Sequence, residues 1–189
     1  MKLHQEFTMA RPLEEVWSFF HDVPKVAACL PGAEYIGPKE DGGHSGKVSA
    51  KVGPFHASFE GEANVRYDDE RKSVAFEGKG IDRKGASRGK MTMTCMLQPA
   101  GQTTAIVVDS DVQLSGSIAQ FGRTGLIAEI ANSLISDFVK NAEAAIDARH
   151  SAEADAPAKL PAAARPIGGM ALFFAALKGV VKSWFRPIT

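Results

Sequence analysis

Polar and apolar positions recur along the chain in two periods, and the switches between them mark the elements. Residues 2–9 place Leu3, Gln5, Phe7 and Met9 on one side and His4, Glu6 and Thr8 on the other, the alternation of a half-buried strand. Pro12 then opens PLEEVWSFFHD, with two acids in the first turn and Val16, Trp17 and Phe20 at helical spacing. A second short helix begins at Pro24 and stops at Leu30-Pro31-Gly32. From about residue 33 to 116 the period returns to two. Turn signals break it at Asp41-Gly42-Gly43, Gly53-Pro54, Asp68-Asp69, Asp82 to Gly85 and Pro99-Ala100-Gly101. In the clearest run Phe55, Ala57, Phe59, Gly61, Ala63, Val65 and Tyr67 alternate with His56, Ser58, Glu60, Glu62, Asn64 and Arg66, one face apolar and one solvated. After Gly116 the period becomes helical through Ile118, Phe121, Ile127, Ile130, Leu134, Phe138, Ala142 and Ile146, ending near Arg149. Gly122 and Gly125 loosen its start.

The order is strand, two short helices, six strands and a long helix. It predicts an α+β domain over residues 1–149, a curved antiparallel sheet of about seven strands wrapped around a long C-terminal helix. The predicted inward set is Phe55, Phe59, Phe76, Met91, Met93, Ile106, Val108, Val112 and Leu114 on the sheet, with Phe121, Ile130, Leu134 and Phe138 on the helix above it. Such a set fills a core in many proteins. Here Ala57, Gly61, Ala63 and Gly78 share the face and leave volume, which favours a hollow for an apolar ligand. Methionines suit a flexible ligand because they repack easily.

Composition changes the picture beyond this domain. The 189 residues carry 22 basic and 22 acidic side chains, a balance that gives no support to a nucleic-acid partner. After Asp155 no acid remains, while Lys159, Arg165, Lys178, Lys182 and Arg186 follow. Residues 150–166, HSAEADAPAKLPAAARP, lack apolar periodicity and read as an Ala/Pro-rich linker, on the order of 50 Å long if extended. Residues 167–189 form a different element. On a helical wheel Met170, Phe173, Phe174, Leu177, Val180, Val181, Trp184 and Phe185 share an arc of about 140°, with Lys178 and Lys182 at its boundary. The stretch before Lys178 is too short to span a bilayer. An apolar arc with Trp and Phe, flanked by lysines, predicts a helix lying in the membrane interface and binding cytoplasmic-membrane lipids.

Candidate chemistry is sparse. Cys29 and Cys95 are too few for a disulfide framework or a four-cysteine zinc site, and both read as small core hydrophobes. The five histidines show no metal-ligand spacing, and His4 and His56 fall on solvated sides of strands, so no metal site is expected. Gly78-Lys79-Gly80 continues a strand and is no phosphate loop. No nucleophile elbow or dinucleotide fingerprint appears, and no catalytic residue is assigned. The N-terminus runs into a strand pattern without an apolar h-region, so a reducing cytosol is the expected compartment.

Four stretches carry a resemblance: PLEEVWSFFHDVPKVAACLPGAE at 12–34, KVGPFHASFEGEANVRYDD at 51–69, GKGIDRKGASRGKMTMTCMLQPAG at 78–101 and SDVQLSGSIAQFGRTGLI at 110–127. Together they resemble the carbon monoxide dehydrogenase G-subunit family within the helix-grip (START-like, SRPBCC) superfamily. The resemblance implies a non-catalytic accessory protein that attaches a molybdenum-containing hydroxylase, such as CO dehydrogenase, to the inner face of the cytoplasmic membrane. The predicted cavity adds an expectation of its own: a lipid-like cargo, with an isoprenoid quinone (menaquinone or ubiquinone) as the candidate electron acceptor. Two alternatives remain, a helix-grip enzyme of the cyclase or hydrolase type and an assembly factor for the hydroxylase. The enzyme would need convergent polar groups inside the cavity, for which Tyr35, Tyr67, Ser110 and Gln5 are the candidates.

Overall fold

The alternation over residues 2–9 becomes β1 (Lys2–Met9), and the first helical stretch becomes α1 (Leu13–Phe20). Glu14 and Glu15 stand in its first turn, where the helix dipole favours acids. Val16, Trp17 and Phe19 are its buried residues, so Phe19 takes the inward place expected of Phe20. Phe20 is half-buried and meets Phe138 edge-on at 6.1 Å between ring centroids. In α2 (Val23–Cys29), Pro24 sits in the first turn and the Asp22 carboxylate accepts the Lys25 backbone N–H at 3.2 Å, satisfying one otherwise unpaired donor. The six remaining strands are β2 (Ala33–Pro38), β3 (His44–Val52), β4 (Phe55–Asp68), β5 (Ser73–Asp82), β6 (Ser87–Ala100) and β7 (Thr103–Ser115). The last element is α3 (Leu126–Ala154). The computed structural model describes residues 1–52, 55–82, 87–119 and 126–154.

All neighbouring strands pair antiparallel, in the order β1-β7-β6-β5-β4-β3-β2. The long helix runs past its expected C-terminal limit. Gly116 takes φ +82, a single tight turn occupies 117–119, and the described helix runs from Leu126. At the other end it continues past Arg149 through Ala154, taking in the first five residues of the expected linker. SAEA consists mostly of good helix formers, and the first proline comes only at Pro157. Met1–Ala154 forms one compact unit. The linker from Asp155 onward and the tail positions Met170, Phe173, Phe174, Leu177, Lys178, Val181, Lys182, Trp184 and Phe185 lie outside the described residues.

The core gathers at one end of the sheet. Met9, Leu97, Ile106, Val108, Cys95 and Val74 pack there against Val16, Trp17 and Phe19 of α1 and against Phe138, Ala142 and Ile146 of α3. Met9, Val16, Ile106 and Ala142 are fully buried, and side chains of this kind each contribute about 1.5–3 kcal/mol by leaving water, Ala142 less. Polar ties fix the helices over this end. Gln5 donates to Asn132 at 3.0 Å, Arg11 pairs with Asp147, and Asn141 donates to the Cys29 carbonyl at 3.0 Å. Trp17 Nε1 donates to Asp69 at 2.9 Å and the Tyr67 hydroxyl to the Phe20 carbonyl at 2.8 Å, joining α1 to the β4–β5 turn.

Gly32 links α2 to the sheet. Its φ is +76, its carbonyl accepts Ser49 N–H at 2.8 Å, and a Cβ added there would lie 2.1 Å from the Ser49 oxygen. No side chain fits without moving β3 away. Gly32→Ala is therefore expected to lower the unfolding free energy by about 2 kcal/mol or more, read from urea denaturation; an unchanged midpoint would contradict this.

Both cysteines lie in the core, Cys29 at 5% and Cys95 at 2% exposure. Burial pushes the Cys29 thiol up and the Cys95 thiol up to about 12, so neither forms a thiolate near neutrality. A thiol-reactive dye at pH 8 should leave native protein unlabelled and label both cysteines after denaturation, as counted by intact-mass spectrometry.

Candidate functional site: an apolar pocket on the open half of the sheet

Strand register builds the site. At one level across the sheet, Tyr35 pairs with Gly46, Gly46 with Gly61, Gly61 with Gly80, Gly80 with Gly89, and Gly89 with Leu114. At the next level His44 pairs with Ala63, Ala63 with Gly78, Gly78 with Met91, and Met91 with Val112. Four adjacent strands thus present glycine at the same height, and the row beside them is nearly as bare. A Cβ on Gly61 would lie 2.0 Å from the Lys79 oxygen and 2.7 Å from Gly80 Cα, so β4 and β5 approach too closely there for any side chain. A Cβ on Gly89 would meet only Leu114 at 3.6 Å and Phe59 at 3.8 Å, ordinary contacts.

The result is a hollow of about 420 Å³, lined by α2 and by strands β2 to β7. Its walls are almost wholly apolar. Phe59, Phe76, Met91, Val112 and Leu114 face it from the sheet, with Val23, Ala27 and Leu30 from the α2 side. Leu30 and Val48 are also among the exposed large hydrophobic residues, at 38% and 51%. Glu34, Ser45, Lys47, Glu62, Lys79 and Lys90 also border it, and Tyr35 Oη and His44 Nδ1, both on lining residues, lie 3.2 Å apart.

Five of the expected cavity residues, Phe59, Phe76, Met91, Val112 and Leu114, thus surround the hollow. Ile106, Val108 and Phe138 are instead sealed in the core, and Met93 packs against it. They share the inward register but lie where α1 and the C-terminal half of α3 press onto the sheet. Ile130 and Leu134 are half-buried on α3 and are not among the lining residues. Phe55 opens β4, with its side chain outside the described set, as is Phe121.

The polar candidates separate in the same way. Tyr67 is committed to the Phe20 carbonyl and Gln5 to Asn132, and Ser110 is buried opposite Met93. Only Tyr35 reaches the pocket, and there it meets His44, a residue given no role from sequence. A signal for it existed: counting back by twos from Val48 through Gly46 reaches His44 on the inward face. His4 is a surface residue, bonded to Asp109 at 2.8 Å, and that bond raises its pKa. A buried polar step closes the far end of the face, where Asp82 pairs in register with Ser87 and the Ser87 hydroxyl meets that of Ser117 at 3.0 Å. Among the described residues no group of three or more potential ligands could hold a metal ion, and no helix is long and apolar enough to cross a membrane.

The profile of the CoxG family, described as the G-subunit of carbon monoxide dehydrogenase, matches residues 6–147. The chain belongs to that family. No curated protein matches it in sequence. Among solved structures, this CoxG-family chain is similar to a conserved protein from Geobacillus kaustophilus, at TM-score 0.67 and 19% identity over 78% of this chain and 95% of that one. It is also similar to a START superfamily protein from Mycobacterium smegmatis, at TM-score 0.52 and 15% identity over 78% and 98%. A third likeness is to the di-domain ARO/CYC BexL of the BE-7585A biosynthetic pathway, at TM-score 0.51 and 12% identity over 76% and 46%. At these identities the likeness is one of fold, the START-like helix grip, and this CoxG-family chain has that fold.

The two glycine contacts make opposite predictions. Gly89→Val should keep the fold, with a melting temperature within about 3 °C of the parent, and weaken binding of a polarity-sensitive naphthalene dye about tenfold by filling the hollow. Gly61→Ala should instead lower the melting temperature sharply, because its Cβ meets backbone. Calorimetry and dye titration on the two variants check both.

Proposed function

We propose that this chain is a non-catalytic accessory protein that brings a molybdenum hydroxylase of the CO dehydrogenase type to the cytoplasmic membrane and carries an apolar lipid-like ligand, a respiratory quinone, for its electrons. The observation that carries the reading is the apolar hollow on a CoxG-family domain. A quinone is apolar and confined to the bilayer, whereas a molybdenum hydroxylase is a soluble enzyme. A domain with an apolar pocket, tethered at the membrane, bridges that gap. Support for the membrane end comes from the sequence of residues 167–185, with its Trp and Phe arc, its lysines and its lack of acids.

A second reading, an enzyme of the cyclase type, has one observation in its favour: Tyr35 and His44 form a hydrogen-bonded couple inside the pocket, a pair capable of moving a proton. The carrier reading is preferred because the surface of the hollow is almost wholly apolar and the chain belongs to the CoxG family.

Organic extraction of purified full-length protein, followed by mass spectrometry, tests the proposal. A quinone released at close to one per chain, chemically intact, is the expected result, together with pelleting of the protein on vesicles containing anionic lipid. An empty extract with pelleting retained would remove the carrier role and leave recruitment. Loss of both would remove the whole reading.

A further inference from the structure

We propose that Tyr35 and His44 form a head-group site within the pocket, one that reads a carbonyl or hydroxyl oxygen on an otherwise apolar ligand. The inference rests on the carrier reading and deepens it. Strand register places the two side chains side by side, Tyr35 on β2 and His44 on β3, with ring centroids 5.8 Å apart and the hydroxyl 3.2 Å from Nδ1. Both are half-buried, and both line a hollow whose surface is almost wholly apolar. Neither residue serves the fold as Tyr67 does, whose hydroxyl ties α1 to the sheet.

Proton counting shows what the pair offers. A neutral imidazole carries one N–H and the phenol one O–H. When the Tyr35 hydroxyl donates to Nδ1, the histidine proton sits on Nε2 and remains a donor. When Nδ1–H donates to the phenol oxygen, the phenol proton becomes the spare donor and Nε2 becomes an acceptor. In both arrangements one donor is left for a ligand carbonyl. In the second an acceptor is left as well, which suits a ligand hydroxyl. The pair can therefore serve an oxidised, carbonyl-bearing head and its reduced, hydroxyl-bearing form by shifting a proton between two nitrogens. Among the described residues Nε2 has no other partner. A carrier that must accept a molecule in one redox state and release it in the other needs a site with that tolerance.

The experiment compares two probes on the full chain: a naphthoquinone bearing a single prenyl chain, and the corresponding naphthalene lacking both carbonyls. The parent protein should bind the quinone about three- to tenfold more tightly than the naphthalene, the worth of a net hydrogen bond. It should bind the quinone and its hydroquinone within about threefold of each other. Tyr35→Phe combined with His44→Leu should abolish the preference for the quinone while leaving naphthalene affinity unchanged. His44→Gln, which keeps a donor and an acceptor, should retain part of it. If the double variant does not fold, Tyr35→Phe alone, which removes one oxygen, should reduce the preference about twofold or more. Equal binding of quinone and naphthalene by the parent, or an unchanged preference in the variants, overturns the head-group site and leaves the carrier reading standing. Failure of the parent to bind either probe overturns both.

Discussion

The close approach of β4 to β5 at Gly61 shapes everything on the functional half of this sheet. A single Cβ there would sit 2.0 Å from the Lys79 oxygen, so the two strands hold their spacing only while that position stays bare. Gly46, Gly80 and Gly89 continue the bare row onto the neighbouring strands. Along this line the concave face is peptide backbone and α-hydrogens. Its N–H and C=O groups lie in the plane of the sheet, bonded to adjacent strands. A ligand lying on it meets an apolar floor, though the floor is made of polar units.

The fold keeps stability and cavity apart. At the end where α1 and the C-terminal half of α3 lie on the sheet, residues such as Met9, Val16 and Ile106 are fully buried. At the other end, half-buried Phe59, Met91 and Leu114 face a hollow. A hollow forgoes the dispersion contacts that filling side chains would supply. The packed end compensates with aromatic contacts from Phe19 and Phe20 to Phe138 and with the Trp17 and Tyr67 bonds across the β4–β5 turn. Because those ties lie away from the glycine row, ligand can enter and leave without breaking the contacts that hold the domain folded. Whatever binds the hollow then adds stability by mass action alone.

Much of this architecture was legible in the sequence, since it rests on local signals. Alternation over β4 and the turn residues gave seven strands, and the shift to helical period gave α3. What stayed hidden depends on contacts distant in sequence. Ile106 and Leu114 occupy the same inward register of one strand, yet one is sealed under helices and the other faces the pocket. Period-two patterning is identical for both, and only the position of α1 and α3 separates them. His44 escaped notice because HSGKVSAKV is a weak strand pattern, with glycine and small polar residues obscuring its inward side. Asp82 runs against intuition more directly. Ile81 beside it is exposed at 42% while the carboxylate is buried at 6%, because register with Ser87 fixes the parity of the strand end.

Size constrains how a carrier built this way can operate. At about 420 Å³ the hollow lies toward the lower end of the range of small-molecule pockets, about 300–1,000 Å³. That range suits a fused-ring head with some of its prenyl chain. On the proposed reading the head enters as far as Tyr35 and His44 while the remaining hydrocarbon stays outside the hollow, past the exposed lip of Leu30 and Val48. Hydrocarbon left in water is costly, at about 0.8 kcal/mol per methylene, so any part of the chain outside the hollow favours an apolar surface beside the mouth. On the proposed reading that surface is either the bilayer or an apolar face of the partner enzyme. On that reading the domain works beside a large apolar reservoir, so that only the reactive head needs to leave it.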